Sequence, residues 1–306
     1  MADAAFLAVD WGTTNLRAWT VGRDGAPLQH WEAPLGVGRL PPGGAAQAFR
    51  EQVRPALDAH ALPALLSGMI GSTLGWVEVP YLPCPADAET LARGLRRIEG
   101  EGAPVWIVPG LKGPGVAGTD VMRGEETQII GWLAEDPARR QGRRIVCHPG
   151  THAKWARIED GRIARFNTVM TGELFDVLSR HSVLRTGPDA QDSDEAFEAG
   201  LTAAGDGSAL AARLFSARSR VVSGEMPGAW ANSYLSGLLI GAEAACAPAL
   251  LGADPDEPVA VVGDPRLQRL YRRALERAGR KVQTYSGDAA SLSGLNALWR
   301  EVGGTA

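Results

Sequence analysis

Asp10-Trp-Gly-Thr-Thr-Asn15 and His148-Pro-Gly-Thr-His-Ala-Lys-Trp155 are two polar Gly-Thr turns in one chain, and they decide how the rest of it reads. Each follows an apolar run, Phe6-Leu-Ala-Val9 or Ile145-Val-Cys147, and each leads into another strand-like run, Leu16 to Val21 or Trp155 to Ile158. Arg23-Asp24-Gly25 and Glu159-Asp160-Gly161 then close the hairpins, Asp-Gly being a strong hairpin signal. A strand, Gly-Thr turn, strand, Asp-Gly unit that occurs twice implies two related half-domains facing each other across one ligand.

Such a turn suits phosphate. Glycine lets the backbone come close, consecutive N–H groups and Thr hydroxyls donate to phosphate oxygens, and an aspartate at the strand end can hold Mg²⁺ through water. Asp10 is the metal candidate. An ordinary hairpin explains either turn alone, and the pairing favours the ligand.

Composition narrows the classes. A chain of 306 residues, 45% hydrophobic, can bury a sizeable core and points to about two domains. Cys84, Cys147 and Cys246 are far apart, which indicates neither a disulfide framework nor a cysteine zinc site and fits a reducing cytoplasm. His148 and His152 have a Pro-Gly between them that precludes a regular helix, and no third ligand accompanies them. A net charge of −4 gives no general attraction to nucleic acid, so the basic runs at 139–144 and 269–281 read as solvated faces. The N-terminus lacks a signal pattern and no stretch approaches the ~20 apolar residues of a membrane span. A soluble cytoplasmic protein is expected, with no membrane or nucleic-acid partner, and the chain leaves room for a homodimer.

Along the chain, strands paired first and then alternating with helices argue for α/β halves with mixed sheets. Residues 45–59 and 89–98 read as helices, 109–119 is rich in Gly and Pro, and a helix begins near Glu125. Residues 135–144 are the linker candidate.

At this point the residues resemble a known group. Asp10-Trp-Gly-Thr-Thr-Asn-Leu-Arg-Ala-Trp19, Gly68-Met-Ile-Gly71 with Gly75-Trp76, Met122-Arg-Gly-Glu-Glu-Thr-Gln128, Pro149-Gly-Thr-His-Ala-Lys-Trp155, Thr168-Val-Met-Thr-Gly-Glu-Leu174 and Leu235-Ser-Gly-Leu-Leu-Ile-Gly-Ala-Glu243 are similar to the 2-dehydro-3-deoxygalactonokinase family. That family sits within the actin, sugar kinase and Hsp70-type ATPase superfamily. The resemblance implies two RNase H-like domains with a nucleotide cleft between them. Residues 1–136 would be the first domain, 137–143 the linker and 144–306 the second, with the last helix free to pack back on the first. It also implies ATP and Mg²⁺, and phosphorylation of the terminal hydroxyl of 2-dehydro-3-deoxy-D-galactonate. Other acceptors, or an actin-like assembly protein without an acceptor, are the alternatives.

Individual roles follow. Phosphoryl transfer asks for positioning, charge neutralisation and a base near the attacking hydroxyl. Glu125 is the chosen base, because Gly124-Glu125 resembles the Gly-Asp-Gln helix start of larger sugar kinases. Asp120 and Glu126 are rivals, and both glutamates could instead only complement a helix dipole. Arg123, or Arg17, suits the substrate carboxylate, the alternative being an ion pair. Gly68 and Ser72 lie in a segment suited to sugar hydroxyls, while Trp76 either covers the carbon chain or is core. Gly12, Thr13, Thr14 and Asn15 in the first loop, and Gly150, Thr151 and Lys154 in the second, are the phosphate ligands. Gly263 and Asp264 are the adenosine-site candidates, or a plain turn. Glu173 is placed on a sugar hydroxyl or as a helix cap, and Gly237 to Glu243 reads as close helix packing.

Overall fold

A computed structural model describes residues 4–185 and 189–303, and these fall into two compact units. The first holds residues up to 142 with 158–165 and 287–303, and the second holds 143–157 with 166–286. A hairpin tip and the last helix thus fall with the first unit.

In the first unit the strands are β1 (Ala4–Trp11), β2 (Leu16–Gly22), β3 (Pro27–Ala33), β4 (Ala64–Gly68), β5 (Leu82–Pro83), β6 (Arg96–Ile98), β7 (Val105–Ile107), β8 (Leu111–Gly115) and β9 (Gly118–Met122). The main sheet has the order β3-β2-β1-β4-β7-β6. Successive antiparallel pairing makes β1, β2 and β3 a meander, while β4 and β7 run parallel to β1. The unbroken apolar run of β1 is buried on both faces, as a central strand requires, whereas β3 is largely exposed at the edge. Its helices are α1 (Ala45–Ala48) and α2 (Arg54–Ala56), joined by a π-helical stretch at Phe49–Val53, then α3 (Ala88–Arg93), α4 (Glu125–Ala134) and α11 (Gly287–Glu301). Helices α4 and α11 meet backbone to backbone. A Cβ on Gly131 would fall 1.9 Å from Ala290 O, and one on Gly294 would fall 2.0 Å from Thr127 O.

One local expectation differs from the structure. The helix read over 89–98 stops at Arg93, because Gly94 turns the chain where a Cβ would lie 2.6 Å from Leu82, and 96–98 becomes β6 beside β7. The Gly/Pro-rich 109–119 supplies β8 and the turn of the β8–β9 hairpin, whose pairing runs from Leu111↔Met122 to Gly115↔Gly118.

The second unit is built on β10 (Arg143–His148), β11 (Ala153–Glu159), β12 (Arg162–Val169), β13 (Val259–Gly263) and β14 (Val282–Ser286), in the order β12-β11-β10-β13-β14. Strands β10, β13 and β14 are parallel neighbours. Five strands thus take the same order that β3-β2-β1-β4-β7 takes in the first unit, the repeat that the two Gly-Thr turns announced. Asp160 (φ 46°) and Gly161 (φ 78°) both adopt the left-handed region, as the tight Asp-Gly turn between β11 and β12 requires.

Its helices are α5 (Thr171–His181), α6 (Asp194–Ala204), α7 (Leu210–Leu214), α8 (Ser216–Val222), α9 (Ala231–Leu250) and α10 (Pro265–Arg277). Helices α6 and α9 also approach through glycines, with a Gly237 Cβ 2.1 Å from Phe197 O, so the expected close packing of this motif is present. By length and composition alone, one stretch among the described residues, Gly228–Leu250, could cross a membrane. It exceeds what the sequence suggested. Mostly buried against its own fold, it serves as a core helix.

Candidate active site

Asp10 is the penultimate residue of β1, next to the first Gly-Thr loop. Its Oδ2 accepts from Arg17 at 2.7 Å and from the Ser291 hydroxyl of α11 at 2.7 Å, and Arg17 also pairs with Asp288. The Oδ1 atom lies 3.4 Å from where a Cβ on Gly68 would stand. Gly68 has φ 91°, and that Cβ would be 2.7 Å from Trp11 O, so only glycine fits the end of β4 here.

The loop carbonyls of Gly12, Thr13 and Thr14 accept from Val37, Gly38 and Gly36, which pins the loop from behind. The amides of Thr13, Thr14 and Asn15 find no acceptor among the described residues, and all three residues are exposed. That leaves an array of free donors of the kind an anion takes up. No group of three acidic, His or Cys side chains able to hold a metal occurs among the described residues. Asp10 is the carboxylate beside this loop, with Oδ1 left over from its bonds to Arg17 and Ser291.

Helix α4 starts against this strand end, the Gly124 Cβ position being 3.3 Å from Gly68 Cα. Glu125 is half-buried and its Oε2 accepts from the Arg123 amide at 3.0 Å. Glu126 is fully buried, and accepts from the Gly124 amide at 2.7 Å and from the Thr127 hydroxyl at 3.1 Å. Asp120 lies on the β8–β9 hairpin, off the helix start.

Burial, helped by the neighbouring Glu125 charge, raises Glu126 from 4.5 to about 8. A carboxyl whose folded value is raised contributes stability that is full below the ordinary value and is lost as pH climbs through the folded one, here between 4.5 and about 8. Glu126→Gln cannot ionise. Its Tm advantage over wild type should be absent in mild acid and grow until the pH passes Glu126's raised value. Melts across that range check this, and a pH-independent difference would count against it.

Arg123 is buried with one terminal nitrogen donating to Val79 O at 2.7 Å and its guanidinium 4.3 Å over the Tyr81 ring. Its Nε and other terminal nitrogen are buried without an acceptor. Arg17, by contrast, spends both terminal nitrogens on Asp10 and Asp288. Ser72 uses its hydroxyl locally, donating to Met69 O at 2.7 Å and accepting from Leu74 N at 3.2 Å. Trp76 packs on Phe49, rings 5.4 Å apart, at the margin of the core.

In the second unit a cavity of about 640 Å³ opens beside the second Gly-Thr loop. It brings together Gly150 and Asp264 of the expected residues, with Thr171 and Gly172 of α5. Asp264 caps α10, accepting from Arg266 N at 2.8 Å and Leu267 N at 3.2 Å, and the Gly263 carbonyl accepts from Gln268 at 2.7 Å. Gly172 lies so close to the loop that its Cβ would be 2.4 Å from Gly150 O, and the Glu173 amide donates to Thr151 O at 2.9 Å. Glu173's side chain pairs with His152. Lys154 is buried and donates to the Thr168 hydroxyl at 2.8 Å; it and Thr151 do not line the cavity.

The sequence reading missed Ser291 and Asp288, which reach the Asp10–Arg17 pair from the last helix, and the cavity wall made by Asn232 and Ser236 of α9 with Leu267 and Leu270 of α10. Polar Asn232 and Ser233, just ahead of α9's apolar run, were the available signal.

With this geometry in place, relatives can be weighed. The sequence model of the family described as "DGOK: 2-keto-3-deoxy-galactonokinase" matches residues 10–298. The chain is 37% identical over 310 residues to the probable 2-dehydro-3-deoxygalactonokinase DgoK1 of Rhizobium meliloti (strain 1021), with 97% of each covered. It is 35% identical over 296 residues to the 2-dehydro-3-deoxygalactonokinase of Escherichia coli (strain K12), covering 96% of this chain and 97% of that one. It is also similar to the crystal structure of a candidate 2-dehydro-3-deoxygalactonokinase from Sinorhizobium meliloti, with TM-score 0.87 and 36% identity over 97% of this chain and 99% of that one. Similarity of this extent, over an α/β fold with two like-ordered sheets, places the chain in the 2-keto-3-deoxy-galactonokinase family of kinases.

Proposed function

We propose that this chain transfers the γ-phosphoryl group of ATP to the 6-hydroxyl of 2-dehydro-3-deoxy-D-galactonate, giving the 6-phosphate in galactonate catabolism. Near-full-length similarity to relatives of that name carries the reading. Glu125 takes the proton of the 6-hydroxyl as its oxygen bonds to phosphorus, and the bond to the β-phosphate oxygen breaks to release ADP. The free amides of Thr13, Thr14 and Asn15, with Gly12 allowing close approach, hold phosphate oxygens, and Asp10 is the residue that would hold Mg²⁺ through water. When bound, the metal supplies charge neutralisation on the phosphates.

In the second unit the cavity takes the adenosine, with Asp264 and Gly263 at its strand end, while Gly150, Thr151 and Lys154 serve the β- and γ-phosphates. Gly68, Ser72, Trp76 and Glu173 remain assigned to the sugar-acid chain.

Arg123 is favoured over Arg17 for the substrate carboxylate, because a buried guanidinium with unmet donors calls for an anionic partner while Arg17 already has two. Arg123→Met should raise the sugar-acid KM about tenfold or more and leave the ATP KM near wild type. A change confined to the ATP KM would contradict the assignment. The activity itself is tested by acceptor-dependent ADP release from Mg-ATP with 2-dehydro-3-deoxygalactonate, its gluconate epimer and galactonate, with mass spectrometry of the product. A monophosphorylated keto acid formed best from the galactonate epimer is the expected result. A higher kcat/KM on the gluconate epimer would change the substrate, and ADP formed equally without acceptor would overturn the kinase reading.

A further inference from the structure

Glu243 has no part in the chemistry above, yet its buried carboxyl ties together three elements around the nucleotide cavity. It lies within α9. Its Oε1 accepts from the Trp155 indole at 2.6 Å, its Oε2 accepts from the Tyr271 hydroxyl at 2.7 Å, and the Thr171 side chain hydrogen-bonds the same carboxyl and also Tyr271. Thr171 and Tyr271 line the cavity, and Trp155 directly follows Lys154. Thr171 opens α5, whose next two residues rest on the second Gly-Thr loop through the Gly172 to Gly150 approach and the Glu173 to Thr151 hydrogen bond.

We propose that Glu243 is a positioning residue for the nucleotide: from behind the cavity wall it fixes Thr171 and Tyr271, and through Thr171 it sets the start of α5 against the second Gly-Thr loop. This inference rests on the cavity being the nucleotide site. An ionised carboxylate accepts from indole and hydroxyls alike. Once protonated it must donate, and since indole can only donate, the Thr171 or Tyr271 hydroxyl has to turn round to accept.

Burial raises Glu243 from 4.5 to about 7, against the opposing pull of its hydrogen bonds, so this rearrangement falls near neutral pH. The titratable groups facing it are Tyr271 from α10, Cys147 from β10 and Cys246 on α9 itself. Burial first, and then Glu243, pushes each of them upward, so they stay neutral there. Glutamine keeps the shape, offers its oxygen to the indole and its amide to the hydroxyls, and so mimics the protonated form at every pH.

The test measures the ADP Kd by calorimetry from about pH 6 to about pH 8.5 for the full-length wild type, Glu243→Gln and Thr171→Val. ADP's own phosphate titration is common to all and cancels in ratios. The Glu243→Gln to wild-type Kd ratio should be near one at the acid end and rise to about fivefold at the alkaline end. Thr171→Val, which changes little volume, should lose the same pH dependence and carries the test if the glutamine variant does not fold. A ratio flat with pH in a folded variant overturns the proposal.

Ser236→Trp, which fills the cavity, separates the two levels. If it abolishes ADP binding while the ratio stays flat, the inference alone fails. If ADP binds normally, the nucleotide reading of the cavity fails, and this inference with it.

Discussion

Glu125→Gln is expected to lower kcat for sugar-acid phosphorylation by about 10²-fold or more, with little change in nucleotide affinity. The amide cannot take up the hydroxyl proton, but its oxygen can keep the bond from the Arg123 amide, so the start of α4 should hold its shape. Glu126 cannot stand in. It is fully buried and its oxygens are occupied by the Gly124 amide and the Thr127 hydroxyl. Single-turnover rates for Glu125→Gln, Glu126→Gln and Asp120→Asn decide the matter: a near-normal rate in the first, with a collapse in one of the others, would move the base.

The second large effect is expected at Asp10→Asn, which should raise the Mg²⁺ concentration for half-maximal rate about tenfold or more. Asparagine keeps the volume at this buried strand end but removes the negative charge beside the first Gly-Thr loop. It also sets an amide donor against the Arg17 and Ser291 donors. Arg17 retains Asp288, so the fold should survive. Mn²⁺ binding in the presence of ADP, followed by electron paramagnetic resonance, gives a readout independent of turnover. Unchanged titrations in both assays would take the metal role away from Asp10.

How far these roles were legible in the sequence varied with the distance over which each is decided. The Asp10↔Arg17 pairing follows from the β1–β2 hairpin register, so a sequence alternative, the inter-strand ion pair, describes Arg17's contacts. Ser291 donates to the same carboxylate from 281 positions away, and nothing local marks it. Glu125 and Glu126 are adjacent and chemically alike; only the packing of α4 buries one of them completely and leaves the other half-exposed. The 89–98 segment misled because its residues favour a helix, while the close approach of Gly94 to Leu82 forces the chain out of it.

The sequence by itself determined the repeated architecture. Two apolar strands leading into Gly-Thr turns, with Asp-Gly closures behind them, specify local pairing through side-chain alternation and turn chemistry, and these act over a few residues. The motifs spread along the chain were enough to identify its family. Only the tertiary structure decided which polar atoms are satisfied and which are not: among the described residues the amides of Thr13 to Asn15 and two donors of Arg123 find no acceptor, while the carboxyl of Glu243 is fully engaged behind the cavity. Those outcomes depend on helices such as α9 and α11 being brought against strands far away in sequence, and hydrogen-bond satisfaction at a buried group is a property of everything packed around it.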